Sequence, residues 1–173
     1  GTIDAGTFNG TIGSSATFPA GHVLQTKFET NSSSTLNGIT ASSNPGNLYG
    51  TGYANRTYGL AQTIEITPSS TSNILFCLGQ VGWSYFAGYS TGAHGTIITL
   101  NDSTSIKNND YPWYGEATFT SGGYWPPDIV WGVFSPASTS QQTIRLRPFN
   151  YRESGTRTIN YNFNNLLVME IAQ

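Results

Sequence analysis

The stretch QTIEITPSSTSNILFCLGQV, residues 62–81, decides the fold of this 173-residue chain. In it, a strand-like run is followed by a Pro-Ser-Thr segment at residues 67–73 and then by a second apolar run. The same order returns in DIVWGVFSPASTSQQTIRLRPF, residues 128–149, around the segment 135–141. Proline and serine favour turns, so each stretch predicts two strands joined by a turn. The turns are local, whereas the strands they join need not pair with each other.

Hydrophobic alternation supports the strand prediction. Ile64 and Ile66 alternate with threonine and glutamate, which indicates one buried face. Residues 74–78 contain no polar residue, which is typical of a central strand or of a strand that faces another subunit. Pro68 and Pro136 follow the strand-like runs, where the missing backbone donor of proline breaks no ladder hydrogen bond.

Further strand-like runs occupy much of the remaining chain. They lie at residues 23–30, 96–100, 116–120, 129–134, 143–149, 156–163 and 166–172. In the last run we expect Leu167, Met169 and Ile171 to face inward, and Leu166, Val168 and Glu170 to face outward. Asn37-Gly38 predicts a tight hairpin turn. No stretch has helical periodicity, so we predict an all-β fold, an antiparallel, jelly-roll-like β-sandwich of about 8–10 strands over residues 21–173.

Residues 1–20 are predicted to form a short, extended N-terminal shaft or linker. The order Gly-Thr-Ile followed by Thr-Phe occurs in residues 1–8 and again in residues 10–18. So few apolar residues cannot form a core of their own, and such a segment needs another surface, for example the same segment of neighbouring chains. An unstructured linker is the alternative.

Composition narrows the range of partners. Charged residues make up 9% and aromatic residues 13% of the chain, and the net charge is −2. So weakly charged a chain has little electrostatic attraction to a polyanion, whereas nucleic-acid-binding proteins carry clustered Lys and Arg, so no nucleic-acid partner is expected. Uncharged polar and aromatic surfaces suit neutral, hydrogen-bonding partners such as sugars. No run approaches the roughly 20 apolar residues of a membrane span, so no membrane insertion is expected either.

Two aromatic-rich segments form the predicted ligand-binding surface. They lie at residues 82–95 and 108–127, between the two strand pairs, and are predicted to be loops. Aromatic rings stack on sugar rings while nearby polar groups bind the hydroxyls. The candidate glycan-binding residues are Trp83, Tyr85, Phe86, Tyr89, His94, Tyr111, Trp113, Tyr114, Tyr124 and Trp125. The alternative for each ring is a place in the core or in a subunit interface.

The sequence gives weaker signals for metal binding and catalysis. The two histidines are far apart and have no cysteine beside them, so no metal or cofactor is predicted. Asp102, Asp110, Glu116 and Asp128 do not have the spacing of a calcium loop. Glu116 and Asp128 are the only pair that suggests glycoside cleavage, and we predict a protein without catalytic residues that is not an enzyme. Cys77 stands inside an apolar run and is predicted to be buried.

Arginines concentrate near the C-terminus. Arg145 and Arg147 alternate with Ile144 and Leu146, which predicts that both guanidinium groups lie on one strand face. They could bind an anionic surface glycan or a phosphate. The alternatives are pairing across subunits with Glu153 or Glu170, or simple exposure to solvent.

Four motifs occur in order over nearly the whole chain. They are ATFPAGHVLQ at residues 16–25, ITPSSTSN at 66–73, SPASTS at 135–140 and LVMEIA at 167–172. In these motifs the chain resembles the C-terminal portion of bacteriophage tail-fibre proteins, especially those of marine and cyanobacterial phages. The resemblance implies a receptor-binding tip domain, a β-sandwich assembled as a homotrimer behind a shaft. The aromatic segments around Trp83 and Trp113 depart from the family pattern, in which shorter connections join these strands.

The expected function is therefore attachment of a viral tail fibre to a host cell-surface glycan, without catalysis. The expected partners are further copies of the chain in a homotrimer, a host polysaccharide or lipopolysaccharide, and upstream fibre or virion proteins bound through the N-terminal segment. The expected location is the tail fibre of the virion, outside the cell. The alternatives are a structural protein of the capsid, either a decoration protein or a head fibre, and a polysaccharide depolymerase. A cellular carbohydrate-binding module is a further alternative.

Overall fold

The computed structural model describes residues 19–31, 37–41, 56–87, 92–102, 104–106, 127–152 and 157–173. In chain order, the strands are β1 (Val23–Asn31), β2 (Asn37–Ala41), β3 (Arg56–Tyr58), β4 (Gln62–Ile66), β5 (Ile74–Ala87), β6 (Gly92–Leu100), β7 (Thr104–Ile106), β8 (Asp128–Phe134), β9 (Gln142–Arg152) and β10 (Arg157–Ile171). These residues contain no helix, which confirms the all-β prediction. The predicted strand at residues 116–120 and residues 1–18 of the predicted shaft lie outside them.

The strands form two antiparallel sheets. In the first sheet the strand order is β1-β10-β5-β8, and β2 also pairs with β10. In the second sheet the order is β3-β9-β6-β7, and β4 also pairs with β9. Buried side chains of both sheets form one core, so the predicted β-sandwich is confirmed. β5 has a neighbouring strand on each side, as residues 74–78 predicted.

The two Pro-Ser-Thr segments connect the sheets to each other. We call residues 67–73 the first corner and residues 135–141 the second corner. The first corner joins β4 of the second sheet to β5 of the first, and the second corner joins β8 of the first sheet to β9 of the second. The two strands at each corner therefore do not pair with each other: β4 pairs with β9, and β5 pairs with β8. Both corner prolines, Pro68 and Pro136, are buried.

The core lies between the sheets and is filled by alternate residues of each strand. Leu146 of β9 and Val168 of β10 are fully buried, at 0% exposure. A Cβ atom placed on Gly79 of β5 would clash with Cδ1 of Leu146, and side-chain atoms of Val130 and Ile98 lie at 3.3 and 3.4 Å, so the close approach of the two sheets favours glycine there. Cys77 is buried as predicted, and burial raises the pKa of its thiol to about 12. Its role is therefore to fill space.

The predicted orientation of β10 is wrong. The residues that are buried and face the second sheet are Leu166, Val168 and Glu170. The residues on the outer face are Leu167, Met169 and Ile171, each partly exposed. Both sets are largely apolar, so the carboxylate of Glu170 decided which set was predicted to face the solvent. Glu170 is nevertheless fully buried, because the first corner surrounds its carboxylate with hydrogen-bond donors.

Two local predictions also fail. Asn37 and Gly38 do not form a hairpin turn but open β2, where they pair with Tyr161 and Asn160 of β10. Hydrogen bonding to β10 continues the edge of the sheet there, and it outweighs the local preference of Asn-Gly for a turn. The predicted strands at 156–163 and 166–172 are one strand, β10, with register shifts between Asn160 and Asn164.

Candidate functional site

The strand ends that flank the two aromatic-rich segments point away from the corners. β5 runs from the first corner to Ala87, and β6 starts at Gly92 and returns towards the corners. β8 starts at Asp128, opposite Val81, and runs to the second corner. We call this end of the sandwich, opposite the corners, the distal end. The connections that contain most of the predicted glycan-binding residues therefore start and finish at strand ends directed towards it.

Four of the ten predicted glycan-binding residues lie in strands. Trp83, Tyr85 and Phe86 belong to β5 and pair with β10, while His94 belongs to β6 and pairs with β9. The prediction of a loop over residues 82–95 is therefore wrong at these positions. Backbone pairing on a bulged strand tolerates a glycine-rich, aromatic sequence that looks irregular. The other six residues, which lie outside the described part of the chain, are Tyr89, Tyr111, Trp113, Tyr114, Tyr124 and Trp125.

A bulge in β10 supports the distal half of β5. Tyr161 pairs with Trp83 and Asn164 with Val81, so two residues of β10 stand opposite one of β5. The ring of Phe163 covers Gly82, where an added Cβ atom would lie 2.1 Å from Cε1 of that ring. The buried Tyr161 donates its hydroxyl hydrogen to the carbonyl oxygen of Leu60 at 3.1 Å, and burial raises the pKa of Tyr161. These contacts fix the backbone on which Trp83 stands.

Asp128, considered above for catalysis, connects the two sheets. Its Oδ2 atom accepts a hydrogen bond of 3.2 Å from Oγ1 of Thr96 on β6. Glu116 and Asp110 lie outside the described residues. In the part of the chain that the structure describes, no three His, Cys, Asp or Glu side chains lie close enough together to hold a metal ion.

Arg145 and Arg147 both pair with Asp102. They lie on the outer face of the second sheet, as predicted, and Nη2 of Arg147 donates to Oδ1 of Asp102 at 2.6 Å, while Nη1 of Arg145 donates to Oδ2. Asp102 and the preceding Asn101 have positive φ angles of 55° and 49° and form the turn after β6. The hydrogen bond from Arg147 lowers the pKa of Asp102 most, and the hydrogen bond from Arg145 lowers it further. Burial acts in the opposite direction, but the net effect is a lowered pKa.

Of the two carboxylates proposed for pairing with these arginines across subunits, only Glu170 lies in the described part of the chain. Glu153 lies outside the described residues. Glu170 is fully buried within its own chain, so it is not available to another subunit. The local carboxylate, Asp102, was the missing partner, and the positive φ at Asn101 and Asp102 is the turn geometry that brings it over β9.

Glu170 anchors the first corner. Its Oε1 atom accepts hydrogen bonds from the backbone nitrogen and Oγ of Ser69, at 2.7 and 2.8 Å, and from Nδ2 of Asn73 at 2.6 Å. Its Oε2 atom accepts one from Nε2 of Gln25 at 2.6 Å. Burial by itself raises the pKa of this carboxyl, but the hydrogen bonds from Gln25, Asn73 and Ser69 together lower it by more. The net effect is a pKa of Glu170 below its ordinary value.

A buried amide anchors the second corner. Nε2 of Gln142 donates to the carbonyl oxygen of Ser140 at 2.9 Å and to Oγ of Ser138 at 3.1 Å. Its Oε1 atom accepts a hydrogen bond of 2.8 Å from Nδ2 of Asn101. Asn101 in turn accepts a hydrogen bond from the backbone nitrogen of Thr143. The second corner is therefore attached to the turn that carries Asp102.

Large apolar side chains cover the outer face of the first sheet. Residues that pair opposite one another across its four strands form rows. One row consists of Phe28, Leu167, Leu78 and Trp131. The next row consists of Thr26, Met169, Phe76 and Val133. We call this surface the apolar face; its most exposed members, on the outer strands, are Phe28, Ile129, Trp131 and Val133, at 52–64% exposure.

Comparison with known proteins adds no functional assignment. No protein-family model matches the chain, and no curated protein matches it. Among solved structures, the chain is similar to dimeric latent PorU from Porphyromonas gingivalis, with 11% sequence identity and a TM-score of 0.36. That similarity covers 96% of this chain and 14% of the PorU chain, so this chain spans a small part of the length of that protein.

Proposed function

We propose that this chain is a non-enzymatic adhesion module, the tip of a homotrimeric bacteriophage tail fibre that attaches the virion to a host cell-surface glycan. The observation that supports the proposal most directly is the direction of the strand ends. Those on either side of residues 88–91 and 107–126 are directed to the distal end, away from both corners. The connection at residues 107–126 is long and rich in aromatic residues, and such a connection at one end of a rigid sandwich is a common arrangement for ligand binding.

The direction of β1 supports the orientation expected of a tip. β1 starts at Val23, which pairs with Ile171, and Ile171 pairs with Ile74 directly after the first corner. The chain therefore enters the sandwich at the corner end. A shaft formed by the preceding residues would leave the distal end facing away from the virion and towards the host.

The chemistry of the distal segments suits sugars. Tryptophan and tyrosine offer apolar faces for stacking and polar edges for hydrogen bonding. The chain carries few charges, at 9%, and its two described arginines near the second corner already pair with Asp102. A neutral or weakly charged glycan is therefore a better match than a strongly anionic one. Three weak sites on one tip would act together through their high effective concentration.

A glycan array with the full chain tests the proposal. We expect binding to a defined group of host polysaccharides or lipopolysaccharides. Substitution Trp83→Ala should abolish binding while circular dichroism shows an unchanged fold. The matched control is Leu60→Ala, which removes an exposed apolar side chain from the connection between β3 and β4, outside the apolar face, and should leave binding unchanged. Binding to no glycan, or equal loss with both variants, would refute the proposal.

Two further measurements separate the alternative functions. Labelled antibody against the chain, viewed on whole virions, should decorate the tail; decoration of the head would favour a capsid decoration protein or head fibre. Incubation with host polysaccharide should release no reducing sugar. Steady release that depends on Asp128 would instead favour a depolymerase.

A further inference from the structure

The apolar face is large for a free surface. At usual strand spacing and rise, four strands over the length of residues 74–80 measure about 20 Å in each direction, or about 400 Å² in projection. Soluble monomers rarely expose continuous apolar patches larger than a few hundred Å². In a standard protein interface each partner buries about 800 Å² of accessible surface. The apolar face therefore has about the size of the apolar centre of such an interface.

The exposed side chains concentrate on the two outer strands of the sheet. Ile129, Trp131 and Val133 of β8 are 64%, 52% and 55% exposed, and Phe28 of β1 is 58% exposed. The corresponding residues of β5 and β10, in the middle of the sheet, are only partly exposed. A partner that covers this face therefore gains most by contacting both margins as well as the centre.

Charge is absent from the rows that form the apolar face. Lys27 and Glu29 of β1 pair with Val168 and Leu166, which are buried, so both charged residues lie on the inner side of the sheet. Without basic residues, the face has no attraction for an anionic membrane or polyanion. Most of its side chains are apolar, and the polar side chains in the row of Ile129, those of Gln80, Asn165 and Thr30, hydrogen-bond to one another, so the face offers few groups to hold sugar hydroxyls. The surface that matches it in charge is another uncharged, apolar one.

The edges of the first sheet are protected unequally. β1 has a register shift between Val23 and Gln25 and carries Lys27 and Glu29, features that discourage pairing with other chains. β8 carries a charge only at its first residue, Asp128, and alternates exposed apolar residues after it. Natural proteins leave such an edge in place mainly where another chain covers it.

We infer that copies of this chain associate with one another through the apolar face, with β8 of one copy at the centre of the contact. The inference rests on the homotrimer of the proposed function and assigns it a surface. In a ring of three copies each contact is heterologous, so one margin of the face on each copy meets the other margin of the face on the next copy, which buries apolar area on both sides and leaves no charge unpaired. The rows that form the contact lie on the corner side of Trp83 along β5.

Sedimentation velocity on the full chain at increasing concentration tests the inference. We expect assembly of the unmodified chain and its loss in Val133→Glu, because a carboxylate buried without a partner should raise the dissociation constant by more than about a hundredfold. The matched control is Leu60→Glu, since Leu60 is 52% exposed, close to the 55% of Val133, but lies in the second sheet's connection between β3 and β4. The control should assemble like the unmodified chain.

A second variant protects the experiment against misfolding. Phe28→Glu, on the opposite margin of the face, should also prevent assembly if Val133→Glu fails to fold by circular dichroism. A monomer at every concentration, or equal dissociation with Leu60→Glu, would overturn the inference. So would binding of the monomer to vesicles of neutral phosphatidylcholine, because a lipid surface would then be the occupant of the face.

The same variants separate this inference from the proposed function. A monomeric Val133→Glu chain should bind the same sugars as the unmodified chain, with lower apparent affinity because multivalency is lost. Assembly without binding to any glycan would support the interface and refute the adhesion proposal. Glycan binding by an unmodified chain that never assembles would refute the interface and support glycan binding as the function.

Discussion

The first corner is held by a buried carboxylate, whereas the second corner is held by a buried amide. Both corners have a Pro-Ser-Thr composition, and both join one sheet to the other. Glu170 comes from the last strand, 97 residues after its partner Asn73, while Gln142 directly follows the second corner in sequence. A turn-forming composition therefore does not determine what holds the turn in place.

The difference matters energetically because a buried charge costs more than a buried amide. An ionised carboxylate that loses water must recover that cost from hydrogen bonds, which are stronger when the acceptor is charged. Glu170 receives four such bonds of 2.6–2.8 Å from neutral donors. Gln142 makes three of 2.8–3.1 Å. Changes at Glu170 should therefore have the larger effects.

The largest effect is expected for Glu170→Leu. The substitution keeps the volume but leaves the donors of Ser69, Asn73 and Gln25 without their acceptor, and Asn73 is itself buried. We expect the free energy of unfolding to fall by about 2–4 kcal/mol, measured by urea denaturation at fixed chain concentration. Glu170→Gln, which retains one acceptor oxygen, should cost less. Equal stability of the leucine variant would mean that the carboxylate does not anchor the corner.

Acid should weaken the first corner but not the second. The folded state lowers the pKa of Glu170, so its ionised form stabilises the fold at pH values above the usual range of glutamate, near pH 4.3, and this contribution is lost as the pH falls below it. Glu170→Gln should reduce the slope of unfolding free energy against pH in that acid range. Gln142 has no proton to gain, so Gln142→Leu should leave the slope unchanged.

Gln142→Leu should destabilise the chain less than Glu170→Leu. Its partners Ser138 and Ser140 lie in a more exposed segment and can bind water after the change, and no charge is involved. We expect a loss of about 1–2 kcal/mol in urea denaturation. The variant should also loosen the turn at Asn101 and Asp102, which would appear as faster hydrogen exchange at the amide of Thr143. A loss equal to that of Glu170→Leu would remove the distinction between the corners.

Sequence patterns predict the strands well, but they predict poorly which face of a strand is buried. The alternation around Ile64, the apolar run at 74–78 and the proline positions predict β4, β5 and the corners correctly. In β10 and β8 both faces are apolar, because one packs on the core and the other forms the apolar face. The prediction of which face of β10 is exposed then depends on one polar residue, Glu170. That residue is buried, because its hydrogen-bond partners come from distant segments of the chain. Alternation cannot reveal such partners.

The candidate site was predictable in composition but not in conformation. The density of aromatic residues singled out two segments as the candidate site, yet Trp83, Tyr85 and Phe86 extend β5 rather than form a loop. Pairing with β10, more than 70 residues away in sequence, holds them extended. Local composition contains no information about that strand. The same limit explains why Asp102 was not recognised as the partner of Arg145, since a turn at positive φ brings it there.

The smallest effects, and the only gains in stability, are expected for the buried polar side chain of Asn164 and for its control, Thr99. Asn164 lies on β10 six positions before Glu170, faces the same side, and is also 0% exposed. In the described structure neither Nδ2 nor Oδ1 of Asn164 has a hydrogen-bond partner, so its amide loses water without compensation. Asn164→Leu has the same branching, and it should raise the free energy of unfolding by about 1 kcal/mol in urea denaturation.

The control for this gain is Thr99→Val. Oγ1 of Thr99 is likewise buried without a partner in the described structure, but on the opposite sheet and with a single hydroxyl. Its gain should be smaller than that of Asn164→Leu. If Asn164→Leu instead destabilises the chain as strongly as Glu170→Leu, then the amide is satisfied in solution. Asn164 and Glu170 would then be alike, because both buried side chains would depend on hydrogen bonds. The alternation of residues in the sequence does not reveal such bonds.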